Sequence, residues 1–228
     1  MKKILLLLIG LSLQSCTAQT NFDQAEIRKQ ITVEETRSIL FTLAHDDMKG
    51  RDTKSGGYYK ATAFVTNYLQ TYGIQPFYAA YRDSLVTDSL TSYNLVGQIG
   101  NYDPKRKTVL LGAHLDHIGI QEGERDQIFN GANDNAAGST AVLQIARFLA
   151  QHQWEQNLLI ALFADEEKGL KGAFHLAERM KSEKVDLAYM VNFEMIGTTL
   201  TTGENQVYMT GYNPVSYTHL TLPTICSV

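Results

Sequence analysis

The stretch "VLLGAHLDHIG" (109–119) joins an apolar segment directly to a group of polar side chains. Val109, Leu110 and Leu111 are typical of a buried β-strand, and the chain runs on with almost no turn signal into His114, Leu115, Asp116 and His117. Burying imidazoles and a carboxylate is unfavourable unless these groups are paired or bind something. The end of this strand is therefore the first place to expect a site.

Apolar strands alternate with helical patterns on both sides of this stretch. The predicted strands are short runs near 76–85 and 92–98, then 107–113, 157–164 ("NLLIALFA") and 187–193 ("LAYMVNF"). The predicted helices cover roughly 33–45, 57–72, 136–151 and 169–181. This alternation predicts an α/β domain with a mostly parallel central sheet flanked by helices. Ligands of such sheets bind at the carboxyl ends of the strands.

Acidic residues occupy the corresponding positions further along the chain. Asp134 lies where the glycine-containing turn "GANDNAAGST" (131–140) enters a helix, Glu166 and Glu167 follow the strand 157–164, and Glu194 follows the strand 187–193. Each of these alone is typical of a helix cap, a helix-dipole partner or a salt bridge. Converging at one sheet edge, they would repel each other unless a divalent cation lay among them. Imidazole and carboxylate ligands without thiolates suit zinc, manganese or cobalt.

Four motifs in order, "GAHLDHIG", "GANDNAAGST", "ADEEKGLKG" and "NFEMIG", resemble those of the M28 family of co-catalytic zinc peptidases. The family includes secreted bacterial aminopeptidases, and glutaminyl cyclases are among its relatives. The segment 43–76 also resembles the N-terminal part of bacterial members, so the resemblance covers roughly residues 33–212. It implies a zinc exopeptidase-like fold and metal-dependent hydrolysis of short peptides from the amino end.

The resemblance implies a role for each motif residue in binding two zinc ions. His114 and Glu194 would bind one ion, Asp134 would bridge both, and Glu167 would bind the second. The Asp134–Asn135 peptide would be cis. Many aminopeptidases of the family have Asp where this chain has Glu194, and the longer side chain would change the space for a substrate's amino terminus.

The resemblance also implies two catalytic groups that are not ligands. Glu166 would be the general base, and Asp116 would orient His114, as metal-bound imidazoles commonly require. Adjacent Glu166 and Glu167 cannot both point the same way from an extended backbone, so one can bind metal while the other takes a proton from water. Of the remaining histidines, His117 would line the pocket or hydrogen-bond Asp116.

Two alternatives remain at this point. One keeps the fold but performs glutaminyl cyclase-like acyl transfer with a single zinc, although His114, Asp116 and Glu194 favour a two-metal set. The other is a non-catalytic binding module, which the presence of Glu166 disfavours. Surface or capping roles are expected for the histidines on predicted helices outside the motifs, which are His45, His152 and His175.

The amino-terminal residues predict export and lipidation. Lys2 and Lys3 precede a short apolar run, and residues 1–15 end in "LQS" before Cys16, which together resemble a bacterial lipoprotein signal peptide. Cys16 would carry the lipid, 16–30 would be a tether, and the protein would be anchored in the outer membrane facing the periplasm. The net charge of −4 without charged blocks gives no electrostatic argument for nucleic acid. The oligomeric state cannot be predicted.

The carboxyl-terminal residues predict a domain that is incomplete. The peptidase domain is expected at 31–214, and "VSYTHLTLPT" (215–224) can be encoded by GTC TCT TAT ACA CAT CTG ACG CTG CCG ACG, which resembles a transposase-type sequencing adapter. Residues 215–228 would then be non-native. His219 would not be the final histidine that the family places at its second zinc, and the chain would bind that zinc poorly and show little activity.

Overall fold

The computed structural model describes residues 23–87, 90–123 and 126–199. The predicted signal peptide, Cys16, most of the tether and everything from residue 200 onward, including His219, lie outside these residues. Within the described ranges, no helix combines the length and the apolar character needed to span a bilayer.

Helices and strands alternate as the apolar pattern predicts. The helices are α1 (Gln24–Gln30), α2 (Val33–Leu43), α3 (Gly56–Thr71), α4 (Gly138–Leu149) and α5 (Lys171–Ser182). The strands are β1 (Gln75–Pro76), β2 (Arg82–Thr87), β3 (Leu90–Ile99), β4 (Thr108–His114), β5 (Asn157–Phe163) and β6 (Leu187–Asn192). The predicted α/β class, with helices flanking a central sheet, is confirmed.

The six strands form one mixed sheet in the order β1-β3-β5-β4-β6, with β2 also pairing with β3. Strand β4 is parallel to both β5 and β6, whereas β3 is antiparallel to β5, β2 and β1. Among the described residues, parallel pairing is confined to the three strands that end in the motifs. The β2–β3 pair is antiparallel because the two strands follow each other closely in the chain.

Strand β4 lies at the centre of the core, and all of its residues are buried. Val109, Leu111 and Ala113 contribute to an apolar cluster with α2, α3 and α4. Leu110, on the opposite face, packs in a second cluster with Leu176 of α5. Both faces of the sheet are covered by helices, so the polar groups that follow β4 can reach solvent only at the edge where the strands end.

Two local details of the structure differ from the sequence-based expectations. The predicted tether contains α1, because Asp23 caps this helix at the backbone N–H of Ala25 and Arg147 of α4 donates to the carbonyl of Gln30. The helix predicted from residue 136 begins instead at Gly138, after the irregular turn Ala132–Ala137. Asp134 lies in that turn and is not part of a regular helix.

Candidate metal centre

The ends of the three parallel strands hold the motif residues side by side. His114 is the last residue of β4, while Glu166 and Glu167 follow β5 and Glu194 follows β6. Backbone pairing continues past the strands, because the N–H of Leu115 donates to the Phe163 carbonyl at 2.8 Å and that of Phe193 to the Gly112 carbonyl at 2.8 Å. The sheet itself therefore sets the spacing of these side chains.

His114, Asp134 and Glu194 form the first group of potential ligands. The Nε2 atom of His114 lies 3.1 Å from Asp134 Oδ1 and 3.1 Å from Glu194 Oε1. Its Nδ1 atom lies 3.0 Å from the backbone carbonyl of Asp116, which can only accept a hydrogen bond, so Nδ1 carries a proton. In the neutral ring Nε2 then presents a lone pair to two carboxylates. Only a proton or a metal ion between them satisfies this arrangement.

The electrostatics of His114 show how strongly this position favours positive charge. Burial alone lowers the pKa of His114, but the nearby carboxylates of Asp116 and Glu194 outweigh that effect and raise the pKa to about 10. The ring is only 2% exposed. A buried site that stabilises a cation this well, and offers one nitrogen and two carboxylate ligands, fits a divalent metal ion.

His117, Asp134 and Glu167 form a second group. The Nδ1 atom of His117 lies 2.5 Å from Glu167 Oε1 and 3.8 Å from Asp134 Oδ2. Asp134 thus directs Oδ1 towards the first group and Oδ2 towards the second. This is the position that a bridging carboxylate takes between two metal ions, which in two-metal sites lie about 3.5–4 Å apart.

Glu166 stands beside both groups at the wall of a pocket. It forms a third set of neighbouring ligand atoms with His114 and Glu167. Burial raises its pKa, the positive charge of His114 opposes this, and nearby carboxylates add to the increase. The pocket has a volume of about 230 Å³. Besides the polar groups His114, Glu166, Asn192 and Glu194, it is lined by Phe163, Leu170, Ala173 and Met190.

Asp116 contacts His114 differently from the expectation. Its backbone carbonyl, and not its carboxylate, accepts the hydrogen bond from His114, since the carboxylate lies 3.7 Å from Nδ1. The carboxylate instead accepts hydrogen bonds from the backbone N–H groups of Glu166 at 3.2 Å and Glu167 at 3.4 Å. Asp116 therefore positions the two glutamates as well as the imidazole, and it is 99% buried while doing so.

His117 also has a different partner from the one expected. Its hydrogen bond goes to Glu167 and not to Asp116. The expected cis peptide between Asp134 and Asn135 is present. All six predicted site residues converge at one edge of the sheet; their roles as ligands, base or positioning group remain predictions.

Arg51 supports the centre and was missed by the sequence analysis. Its side chain is completely buried, and its N–H groups donate to five backbone carbonyls, those of Leu43, Leu115, Asn130, Gly131 and Asp134. Burial lowers the pKa of Arg51 to about 10, while the charges of Asp116, Asp134 and Glu167 oppose that effect. This arginine joins the end of α2, the segment after β4 and the Asp134 turn.

Asp165 fixes the turn that precedes Glu166 and was also missed. Its buried carboxylate accepts hydrogen bonds from the hydroxyls of Thr53 and Ser92, and the Lys168 ammonium lies 3.1 Å away. Asp165 has a left-handed backbone conformation, with φ of 51°. The hydrophobic pattern of the sequence does not predict a buried carboxylate at this position. The only sequence signal for Asp165 is that it is an acidic residue next to Glu166 and Glu167.

Asn135 and Ser139 connect the Asp134 turn to the neighbouring strands. The Asn135 amide donates to the Phe193 carbonyl at 2.8 Å and accepts from the N–H of Met195 at 3.2 Å. The Ser139 hydroxyl donates to the His114 carbonyl at 2.8 Å. These contacts hold the Glu194 segment and the Asp134 turn at a fixed separation.

The other histidines occupy positions away from these groups. His45 accepts a hydrogen bond from the N–H of Asp47 at the start of a short helical turn, which is a capping role. His175 on α5 lies 3.2 Å from Asp83, and His152 packs near Phe148 and Trp154. None of the three belongs to a group of potential ligands among the described residues.

The profile of peptidase family M28 matches residues 94–218 of the chain. The chain belongs to peptidase family M28. Among curated relatives, a "probable zinc metalloprotease" of the fungus Pyrenophora teres f. teres is 28% identical over 137 residues, which is 60% of this chain and 28% of that protein. An aminopeptidase of Pseudomonas aeruginosa is 33% identical over 115 residues, or 50% of this chain and 20% of that protein. This M28 chain therefore aligns with about a quarter of the length of such relatives.

Solved structures of similar proteins share the fold of this M28 chain. The LapA aminopeptidase of Legionella pneumophila superposes with a TM-score of 0.63 at 19% identity, over 77% of this chain and 46% of LapA. A glutaminyl cyclase of Bacteroides thetaiotaomicron superposes with a TM-score of 0.61 at 21% identity, over 78% of this chain and 65% of the cyclase. At such identities the likeness shows the fold alone.

Proposed function

We propose that the protein is a zinc-dependent peptidase that removes residues from the amino end of short peptides at a two-zinc centre. The observation that carries the proposal is the placement of Asp134, which directs one carboxylate oxygen to His114 and the other towards His117. Membership of family M28 and the names of its zinc metalloprotease and aminopeptidase relatives support the reaction class.

The residues that would hold the ions are those of the two groups around Asp134. His114, Asp134 and Glu194 would hold one zinc, and Asp134 with Glu167 would hold the other. Bound zinc would supply Lewis acidity that polarises a peptide carbonyl and activates water. Five carboxylates surround this region, and without a cation their repulsion would oppose the observed packing.

Glu166 is placed to handle the proton. It lies next to His114 and Glu167 and lines the pocket, so a water and a peptide carbonyl in that pocket would be within its reach. As general base it takes a proton from the attacking water and gives it to the leaving amine, which leaves as a neutral amino group. Asp116 fixes the backbone of Glu166 and Glu167 by accepting hydrogen bonds from both N–H groups.

The pocket supports an apolar side chain at the cleaved residue. Its wall away from the carboxylates is formed by Phe163, Leu170, Ala173 and Met190. A volume of about 230 Å³ is small for a ligand site and suits one side chain better than an extended peptide. Glu194 lies at the polar end of the same pocket, where a substrate's free amino group would find a negative charge.

Activity and metal content test this function together. The purified full-length protein, loaded with zinc, should release free amino acids from short peptides with apolar first residues, and a chelator should abolish the release until zinc is restored. Metal counting by mass spectrometry on the full-length protein should find two zinc ions per chain. Hydrolysis that is unaffected by chelation would contradict the proposal, and one zinc with cyclisation of amino-terminal glutamine would establish the cyclase alternative.

We also propose export and lipidation at Cys16, on the strength of the signal-like residues 1–15. The protein would then act in the cell envelope as a peripheral, lipid-anchored enzyme, bound by acyl chains through Cys16. In a bacterial host, wild-type protein should fractionate with membranes and the Cys16→Ala variant should be soluble. A wild-type protein that is already soluble in the periplasm would contradict this assignment.

A further inference from the structure

Residues 164–172 run from the end of β5 into α5, and they carry both Glu166 and Leu170 of the pocket wall. We call this segment the glutamate turn. The N–H of Gly172 donates to the Ala164 carbonyl at 3.1 Å, so the two ends of the turn lie side by side. The proposed general base and part of the apolar pocket wall therefore belong to one closed segment, whose position depends on how its ends are held.

One side chain, Asn94 of β3, bonds to both ends of the glutamate turn. Its Oδ1 atom accepts from the N–H of Ala164 at 2.9 Å, and its Nδ2 atom donates to the carbonyl of Gly172 at 2.9 Å. Asn94 is completely buried. Gly172 leaves room for this contact, because a Cβ there would collide with Asn94 Oδ1. The antiparallel pairing of β3 with β5, in which Leu95 lies opposite Leu162, brings Asn94 to the end of β5.

Asp83 of β2 fixes the orientation of the Asn94 amide. Its carboxylate accepts a hydrogen bond from Asn94 Nδ2 at 2.8 Å. Because an ionised carboxylate can only accept, the amide nitrogen must face Asp83 and the amide oxygen must face the Ala164 N–H. Asp83 is also completely buried, and on α5 Arg179 lies 2.9 Å and His175 3.2 Å from its carboxylate. These contacts hold α5, which continues the turn, against the β2–β3 pair.

We propose that Asn94 is a positioning residue for peptide hydrolysis, which holds Glu166 and the pocket wall in a fixed relation by clamping the glutamate turn. The inference rests on the proposed function. Asn94 acts through the turn and does not touch the substrate. A misplacement of about 1 Å can cost roughly 10²-fold in rate, so loosening the clamp should be visible in catalysis. The alternative is a buried amide that contributes to stability alone.

Kinetics of Asn94→Ala in the full-length, zinc-loaded protein separate these two roles. The variant should lower kcat by about 10²-fold. The ratio of kcat/KM for leucine peptides to kcat/KM for alanine peptides should fall by about 10-fold, because the pocket wall loses its support. That ratio does not depend on the fraction of folded protein, so a role in stability alone would leave it unchanged. In the Glu166→Gln protein, adding Asn94→Ala should lower kcat little further, because residues that act as a unit are not additive.

Asn157 provides the matched control, since it is a buried asparagine at the opposite end of β5. Its Nδ2 atom donates to the carbonyls of Asp103 and Arg106, far along the strand from the glutamate turn. Asn157→Ala should therefore lower the free energy of unfolding as Asn94→Ala does, but it should leave the ratio of leucine to alanine peptides as in wild type.

Amide hydrogen exchange tests the clamp without any measurement of activity. In Asn94→Ala, the N–H groups of Ala164 and Gly172 should exchange faster relative to that of Ile160 within β5, whereas Asn157→Ala should leave this relation unchanged. Unchanged relative exchange in Asn94→Ala, an unchanged peptide ratio, or an equal change of that ratio in Asn157→Ala would overturn the role of Asn94. Faster exchange in Asn94→Ala combined with a wild type that releases no amino acids would contradict the proposed function, while the clamp itself would stand.

Discussion

At the scale of single residues, the neighbouring glutamates Glu166 and Glu167 have different surroundings. Glu167 faces His117 at 2.5 Å and belongs to the second ligand group, whereas Glu166 lines the pocket. Their backbone N–H groups share one acceptor, the carboxylate of Asp116. The two residues thus share one backbone support, although their side chains have different neighbours.

Glu166→Gln should lower kcat about 10²- to 10⁴-fold, the usual contribution of general acid–base catalysis, and leave the zinc content equal to that of the wild type. Glutamine has the same shape but cannot accept the proton from water. Glu167→Gln should instead lose one zinc, because it removes a charged ligand. Peptide turnover and metal counting on both variants check this, and loss of zinc from Glu166→Gln would show that the two roles are exchanged.

Arg51→Met should destabilise the fold by at least about 3 kcal/mol, because it leaves several buried carbonyls without donors. Arg51 donates to five carbonyls from three separate segments. Arg51→Lys offers fewer donors in a compact head and should recover only part of the loss. Denaturant unfolding measures the free energy of unfolding of both variants. A variant at the exposed Arg37 is the control, and an Arg51→Met protein as stable as wild type would contradict this account.

At the scale of elements, strand ends were predictable and the turns between elements were not. Continuous apolar runs identify β4, β5 and β6, and the rule that ligands bind at strand ends places His114, Glu166 and Glu194 together. Arg51 gave no signal, because it lies in a polar stretch that has no hydrophobic period and its burial depends on distant carbonyls. Likewise, the antiparallel pairing of β3 depends on tertiary neighbours, which local patterns do not reveal.

Asp165 links three elements and should make stability depend on pH. Burial raises its pKa, but hydrogen bonds from Ser92, Thr53 and Lys168 outweigh this and lower it. A carboxyl with a lowered pKa in the fold stabilises the protein above its unfolded pKa, about 3.9 for Asp, and this contribution is lost as the pH falls through the folded pKa.

Asp165→Asn should therefore cost about 1–3 kcal/mol near pH 7, and the difference from wild type should shrink as the pH falls below about 4. Unfolding curves recorded near pH 7 and below about pH 4 give the free energy of unfolding of both proteins. Asp126→Asn, in an exposed loop, is the matched control and should show no such trend. A deficit of equal size at both pH values would assign Asp165 a packing role without a charge contribution.

The first turns of α5 should set the preference for the cleaved residue. Ala173 lines the same pocket as Glu166, so Ala173→Phe should fill the pocket and lower kcat/KM for peptides that begin with leucine more than for those that begin with alanine. The ratio of kcat/KM for leucine peptides to kcat/KM for alanine peptides should change by at least about 10-fold, because the leucine side chain loses its apolar contacts. Ala177→Phe, exposed one turn further along α5, should leave the ratio unchanged.

At the scale of the whole molecule, the centre is assembled from segments that meet only when the chain is folded. The carboxylates brought together are Asp116, Asp134, Glu166, Glu167 and Glu194, and they come from four separate stretches of sequence. The nearby buried cation, Arg51, binds carbonyls and not these carboxylates. Folding without metal must therefore overcome their mutual repulsion, and metal binding and folding should be coupled.

Zinc should consequently raise the melting temperature of the protein. A ligand at 100 times its Kd stabilises the native state by about 2.7 kcal/mol, which corresponds to a shift of roughly 5–10 °C for a chain of this size. Thermal unfolding with zinc and then with excess chelator measures the change. Asp134→Asn should abolish most of it, because Asp134 belongs to both ligand groups, while Asp126→Asn should respond as wild type does. If wild type binds zinc without any change in melting temperature, the unfolded chain binds zinc as tightly as the folded one, and the sheet edge does not depend on the ions.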